Sequence, residues 1–303
     1  MSDSRNNNFD SLVFDSDVAD AEQVLSRHRT VLQGRFPLED IHGLAIVHRR
    51  VRARRSKRAA IAIALLLVVA GVLRFDPTYR TEHFATAIGE RREVALSDGS
   101  HITLNTNTAL DLEWHLRTRR VLLATGQVLF DVEHARYRPF LVAAGSTQIR
   151  VVGTAFDVRR EHDDVTVTVL RGKVAVRNAN GDEALLTIGQ RALSNSTGLG
   201  STQTVDSAVT TLWRDGKLVF DRTPLREALA EIQRYSREPI VLGADLSLAE
   251  QRVSGVFAID NASAVLDLLP QILPVALVHL AGGGVRVDSA PSAKPAQLKP
   301  VHR

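Results

Sequence analysis

Val165-Thr166-Val167-Thr168-Val169 is the stretch that decides the fold, with valine and threonine in strict alternation and a further strand, Gly172–Arg177, directly after Arg171-Gly172. A period of two places the valines on one face and the threonines on the other, as in a half-buried strand. Working outward, the same signal recurs at Arg92–Leu96, Ser100–Asn105, Ala109–Glu113, Arg120–Leu123, Gln127–Val132, Phe140–Ala143, Gln148–Val152 and Ala155–Val158. Turn signals separate these runs: Asp98-Gly99, Thr125-Gly126, Ala144-Gly145 and Asn180-Gly181. Many short strands with turns at this spacing predict a mainly β chain, with residues 80–200 forming an all-β domain built as a sandwich, a barrel or a β-helix-like stack.

The pattern changes near Trp213. Leu218–Phe220 reads as a strand, and Thr223-Pro224 as a helix start. Leu225, Ala228, Leu229, Ile232 and Tyr235 then recur at helical spacing. Ile240–Leu242 and Val253–Phe257 are further strands. Asp260 or Asn261 caps a second helix, which Pro270 kinks or ends, and Val275–Leu280 pairs with Val285–Asp288 around Gly282-Gly283-Gly284. Residues 211–290 thus read as a small α+β module of roughly β-α-β-β-α-β-β order, and residues 291–303 as a flexible tail.

On the second helix Leu266, Leu269 and Leu273 form one apolar stripe beside another of Val265, Leu268 and Ile272. Either both stripes are core, or one is free for a partner. The candidate partner-binding stripe is Leu266, Leu269 and Leu273, with the other as core.

Residues 1 to about 20 are polar and acidic and read as mostly disordered, and a helical reading follows from Asp20 to about Arg55. Loose apolar sets follow at Val24, Leu25, Val31 and Leu32 and at Leu38, Ile41, Leu44, Ala45 and Val47, parted by Gly34 and Pro37. Then come Arg49, Arg50, Arg52, Arg54, Arg55, Lys57 and Arg58, seven cations in ten positions, followed by the uncharged run Ala59–Leu73, which Arg74 closes. As a helix that run is only ~22 Å long against a hydrocarbon core of ~30 Å, but Arg58 and Arg74 can snorkel and Phe75 can extend it. A buried core helix and a signal peptide compete with this reading. The first sits poorly beside seven cations, and the second would need an n-region of nearly sixty residues. The preferred expectation is one transmembrane helix at 59–75. Its basic flank holds residues 1–58 in the cytoplasm of a bacterium, with the rest beyond the inner membrane in the periplasm. The same cations could touch DNA or anionic lipid, but their place against the apolar run makes topology the simpler account, and no direct nucleic-acid partner is expected.

The 303 residues contain no cysteine, which excludes disulfides, thiolate zinc sites and thiol nucleophiles, and 5% aromatic content argues against a base-stacking surface. No phosphate loop, HExxH motif or EF-hand loop is present. Glu161-His162-Asp163-Asp164 could suggest a cation site but reads better as a hairpin turn. Ser97-Asp98-Gly99-Ser100 reads as a tight turn rather than a nucleophile. No catalytic, metal or cofactor residues are assigned, and the chain reads as a binding protein rather than an enzyme.

Four linked stretches carry a family resemblance: IGERREVALSDGSHITLNTNTALDL (88–112), RRVLLATGQVLFDVEHARYRPFLVAA (119–144), IRVVGTAFDVRR (149–160) and VTVTVLRGKVAV (165–176). Together they resemble the FecR domain, the periplasmic module of FecR-type sigma-factor regulators. Residues 213–288 resemble the C-terminal module of the same proteins, of the small secretin-and-TonB N-terminal type. The resemblance implies an inner-membrane signal transducer without cofactors. Its C-terminal half would contact the signalling domain of a TonB-dependent outer-membrane receptor for an iron chelate or haem. Its cytoplasmic segment would bind an extracytoplasmic-function sigma factor, as anti-sigma factor or activator. Members of the family carry paired tryptophans in that segment, whereas the only two here are Trp114 and Trp213. This departure keeps a second reading open, a membrane-tethered binding or scaffold protein that has lost its sigma-binding region. An envelope-active enzyme on a β scaffold is a third, for which no paired carboxylates stand out.

Overall fold

The computed structural model describes residues 14–35, 59–72, 74–259 and 262–290. The chain divides into two compact units, residues 1–71 and 72–303. In the first, α1 is Phe14–Arg35 and α2 covers residues 59–72. Val24, Leu25, Val31 and Leu32 of α1 are all more than half exposed. Ile61, Ile63, Leu65, Leu66, Leu67 and Val68 of α2 are also exposed, so this helix presents apolar side chains around its whole girth. Among the described residues no helix is long and apolar enough to cross a membrane; α2 as described spans only ~21 Å. The basic residues Arg49, Arg50, Arg52, Arg54, Arg55, Lys57 and Arg58, the apolar set at 38–47, the Asp260/Asn261 cap and residues 291–303 lie outside the described residues.

The second unit begins with fourteen strands: β1 Thr78–Ala85, β2 Arg92–Ala95, β3 His101–Leu104, β4 Ala109–His115, β5 Arg119–Asp131, β6 Phe140–Ala144, β7 Thr147–Val151, β8 Ala155–Glu161, β9 Asp164–Arg171, β10 Lys173–Arg177, β11 Glu183–Thr187, β12 Gln190–Asn195, β13 Gly198–Leu199 and β14 Gln203–Thr204. They form two sheet halves that share β5. Its N-terminal part pairs with β4 and β6, continuing to β1 on one side and to β7, β10 and β11 on the other. Its C-terminal part pairs with β3 and β8, continuing to β2 and to β9 and β12.

The pivot is Gly126. Its φ of 93° lies in the left-handed region, the β4–β5 register slips between Ala109 and Leu110, and a Cβ at 126 would fall 2.3–2.7 Å from Thr108. The Thr125-Gly126 turn expected from sequence is therefore a bulge inside one thirteen-residue strand. The sequence reading divided that strand into two and did not name β1, β11, β12, β13 or β14. Asp98-Gly99 and Asn180-Gly181 are turns as expected, and Glu161–Asp164 closes the β8–β9 hairpin.

One buried cluster fills the space between the sheet halves. Val165, Val167 and Val169 are fully buried in it, and Phe130 stacks on Phe156 with ring centroids 5.1 Å apart. Arg119 is also buried, paired with Asp98 and donating to the Arg138 carbonyl at 2.9 Å, so its charge does not stand uncompensated.

The C-terminal module follows: α3 Ser207–Thr210, a 3-10 turn Leu212–Asp215, β15 Lys217–Pro224, α4 Leu225–Gln233, β16 Ile240–Leu242, α5 Leu246–Ala249, β17 Arg252–Ala258, α6 Ala262–Ile272, β18 Val275–His279 and β19 Val285–Ser289. β15 pairs antiparallel with β17, while β19 lies between β16 (parallel) and β18 (antiparallel). The order matches the sequence reading apart from the added α5. Thr223 and Pro224 end β15, and Pro224 rather than Thr223 takes the N-cap position of α4; having no side-chain cap bond, the helix start is held by the Leu225 N–H donating to the Gln251 carbonyl at 2.7 Å. Pro270 sits in the last turn of α6, which ends two residues later.

The stripes of α6 fall the other way from the expectation. Val265, Leu266 and Leu269 are buried, at 4%, 4% and 0% exposure, and Leu273 is half-buried against the same core. Leu268 and Ile272 face outward at 43% and 51%. At about 100° per residue, 265, 266, 269 and 273 span a single arc of roughly 100° and 268 and 272 flank it, so one face rather than two parallel stripes is buried. Leu266 and Leu269 are core side chains and cannot meet a partner without unfolding the module.

Candidate functional site

The module's core does not close on itself. It includes Leu129 of β5, and Leu170 of β9 packs against it, so the module covers the outer face of the second sheet half. Strand alternation sends Phe156 and Val158 of β8 into the sandwich core and Asp157 and Arg159 to this outer face. The bulge at Gly126 puts Gln127 beside them, since Gln127 pairs with Arg159 across the β5–β8 ladder. Asn105, just past β3, completes the sandwich's contribution. The module supplies Trp213 from the 3-10 turn, Glu231 from α4, and Arg234 and Tyr235 just after that helix.

These side chains form one connected polar junction. Gln127 Nε2 donates to both carboxylate oxygens of Asp157, at 3.1 and 3.0 Å, and Trp213 Nε1 donates to Oδ1 at 3.2 Å. The amide oxygen of Gln127 accepts from Asn105 Nδ2 and Arg234 Nη2, each at 2.9 Å, and Asn105 Nδ2 also donates to the Tyr235 hydroxyl at 2.8 Å. Beside this run lies a ring of alternating charges. Arg159 meets Glu231 at 2.7 Å and Glu161 at 2.6 Å, and Arg234 meets the same two carboxylates at 2.7 and 3.0 Å. Two backbone carbonyls add straps, since Thr106 Oγ1 donates to that of Arg234 at 3.0 Å and Arg91 Nη1 to that of Trp213 at 3.2 Å.

The electrostatics separate two kinds of carboxylate. Asp157 is 2% exposed and has no cation within ion-pair distance among the described residues, so burial pushes its carboxyl up to about 6, against the pull of the Gln127 and Trp213 donors and of the Arg234 and Arg159 charges. Burial also acts to raise Glu231, but Arg234 and Arg159, bonded directly to it, outweigh this and hold it below the usual carboxylate range. Burial raises the Tyr235 phenol. The arrangement contains donors, acceptors and matched charges in fixed geometry; what it can do is hold two folded bodies in one register. Among the described residues no group of three or more His, Cys, Asp or Glu could hold a metal ion.

Of these junction residues only Glu161 is weighed as a site from the sequence, in a possible cation site read instead as a turn; none is among the assigned candidates. Of those candidates, Leu266 and Leu269 are in the module core, Leu273 is at its margin, and the basic run is outside the described residues. The signal that could have found the junction is an acidic residue between two phenylalanine- and valine-type core positions, FDV at 156–158, with an arginine two residues on.

Fold and site together define a β sandwich whose outer face is clamped by a small α+β module. Residues 82–175 match the family described as FecR protein, and this stretch is a FecR-type domain. Two crystal structures of a putative anti-sigma factor from Parabacteroides distasonis share the fold. One, at 2.50 Å resolution, is 22% identical over 70% of this chain and 100% of that one, with a TM-score of 0.60. The other, at 1.65 Å, is 23% identical over 69% of this chain and 100% of that one, also with a TM-score of 0.60. A comparison with curated proteins gives no match.

Proposed function

We propose that this protein is an inner-membrane regulator of an extracytoplasmic-function sigma factor, relaying the occupancy of a TonB-dependent outer-membrane receptor for an iron chelate or haem. The observation that carries this reading is the FecR domain at 82–175, joined by a buried polar junction to a separate C-terminal module. The name of the Parabacteroides relative, an anti-sigma factor, supports a sigma factor as the partner. The anchor would be residues 59–75. Support comes from an α2 that is apolar on every side and exposed along its length, which needs a non-aqueous surrounding, and from the cations at 49–58 before it. On that topology residues 1–58 face the cytoplasm, and the exposed α1 residues Val24, Leu25, Val31 and Leu32 are the surface a sigma factor would cover.

The test is binding between residues 1–58 and the sigma factor encoded nearest to this gene. Stoichiometric binding that is lost on Leu25→Asp with Leu32→Asp supports the regulator. One observation favours a second reading, a tethered scaffold without cytoplasmic output: residues 1–58 contain no tryptophan. Absence of sigma binding, with the C-terminal half still gripping a receptor signalling domain, would decide for it.

A further inference from the structure

Among the described residues the β15–β17 sheet has two strands, and the far edge of β15 has no strand beside it. Which backbone groups point there follows from the register. The Ile259 N–H donates to the Gly216 carbonyl at 2.9 Å, so the hydrogen-bonded pairs continue at Leu218↔Phe257 and Phe220↔Gly255. The N–H and C=O groups of Lys217, Val219 and Asp221 therefore face the free edge, and among the described residues none of them has a partner there. The open stretch ends at Arg222, where the register shifts and φ is 49°. Natural sheets usually cover, shorten or twist such an edge away. Here it borders a cleft of about 960 Å³ between β15, α3 and the sandwich.

The walls of that cleft have a definite chemistry. Leu218 and Phe220 turn inward to the core, which leaves Val219 on the outer face beside Val256, its cross-strand neighbour, 64% exposed. Val209 of α3, 42% exposed, lines the same cleft. Asp206, Asp221, Glu227 and Glu231 line parts of the cleft, while at its Lys217 end two cations form no direct ion pair among the described residues, the Asp157 carboxylate acting on Arg191 only from beyond ion-pair distance. Lys217 is exposed, and Arg191 donates only to the hydroxyls of Thr168 and Thr210, both at 3.1 Å.

We propose that the β15 edge is a docking strand: an extended segment of the receptor's signalling domain adds to it as a third strand, setting an apolar side chain on Val219 and Val256 and a carboxylate against Lys217 and Arg191. Main-chain hydrogen bonds supply the grip, while the valines and cations supply the selection. This inference rests on the receptor reading above and adds the place and mode of contact. It also puts the docked segment within one strand of Trp213 and Glu231, which line the same cleft and belong to the polar junction.

The experiment is amide hydrogen exchange on the full chain in detergent, alone and with the purified signalling domain of the receptor encoded beside this gene, together with binding by Val256→Lys and Lys217→Glu variants. Both substitutions are at exposed positions, so melting temperatures should stay unchanged. The expected result is slowed exchange at residues 217–221 on binding, and affinity lowered roughly tenfold by each variant. Binding with protection elsewhere and neutral variants overturns the edge inference and leaves the receptor reading standing; no binding overturns both. Protection at 217–221 that rises with the chain's own concentration, without added domain, assigns the edge to a second copy and overturns the proposal.

Discussion

Asp157 carries its charge at a cost that depends on pH. Its carboxyl sits at about 6 in the folded protein against an ordinary 3.8. Between about pH 4 and pH 6 the folded chain therefore keeps a proton that the unfolded chain has lost. More protons bound in the folded state means that stability falls as pH rises through this window and is level above it. The displacement from 3.8 to about 6 corresponds to about 3 kcal/mol lost by pH 7. Asp157→Asn keeps the shape and abolishes the titration. Its amide oxygen can still accept from Trp213 Nε1 and Gln127 Nε2, but its nitrogen stands where Oδ2 accepts from Gln127 at 3.0 Å. Gln127 cannot turn to meet it, because its own oxygen is already held by Asn105 and Arg234. That mismatch costs about 1–3 kcal/mol at every pH. The variant should be less stable than its parent at pH 4 and within about 2 kcal/mol of it at pH 7. At about 2–4 °C per kcal/mol for a unit of this size, the parent's melting temperature relative to the variant's should decline by roughly 6–12 °C over that range. Circular dichroism melts of the two proteins at half-unit pH intervals measure it. Parallel curves for parent and variant would refute the assignment of a buried, unpaired carboxylate at this junction.

Two further substitutions test the frame around the junction. Gly126→Ala forces a Cβ to within 2.3–2.7 Å of Thr108 at a φ of 93°; a loss of more than about 3 kcal/mol in denaturant unfolding is expected, and a loss below 1 kcal/mol would mean that the bulge relaxes freely. Leu269→Asp buries a charge in the module core and should abolish the module's cooperative melting. Leu268→Asp, on the exposed flank of the same helix, should leave it within about 0.5 kcal/mol of the parent; equal damage from both would show that the helix is rotated from the orientation described.

How much of this was legible in the chain depends on whether the cause lay within one strand or between two bodies. The Val165–Val169 alternation is local, and the structure buries each valine as the period requires. Gly126 gave a true signal with a second meaning, because a left-handed glycine serves a bulge as well as a turn; only the pairing of β5 with four neighbours distinguishes them. On α6 the angular arithmetic was available, but two stripes of leucine drawn side by side hid the fact that 265, 266, 269 and 273 make one face. Asp157 is the harder case. Alternation correctly turns it away from Phe156 and Val158, and for an isolated sandwich that would mean water. Its hydrogen-bond donor Trp213 lies 56 residues later in the chain, and the ring partner of Arg159 in the module, Glu231, lies 72 residues away. A period of two reports which face a side chain takes, not whether another body covers that face. Polar residues at a covered face therefore look solvated until the second body is placed, and a polar face that has been covered at the expense of desolvating a carboxylate is one whose register the fold depends on. The hydrogen bonds and ion pairs between module and sandwich therefore run through the junction rather than through the greasy helix the sequence pointed to.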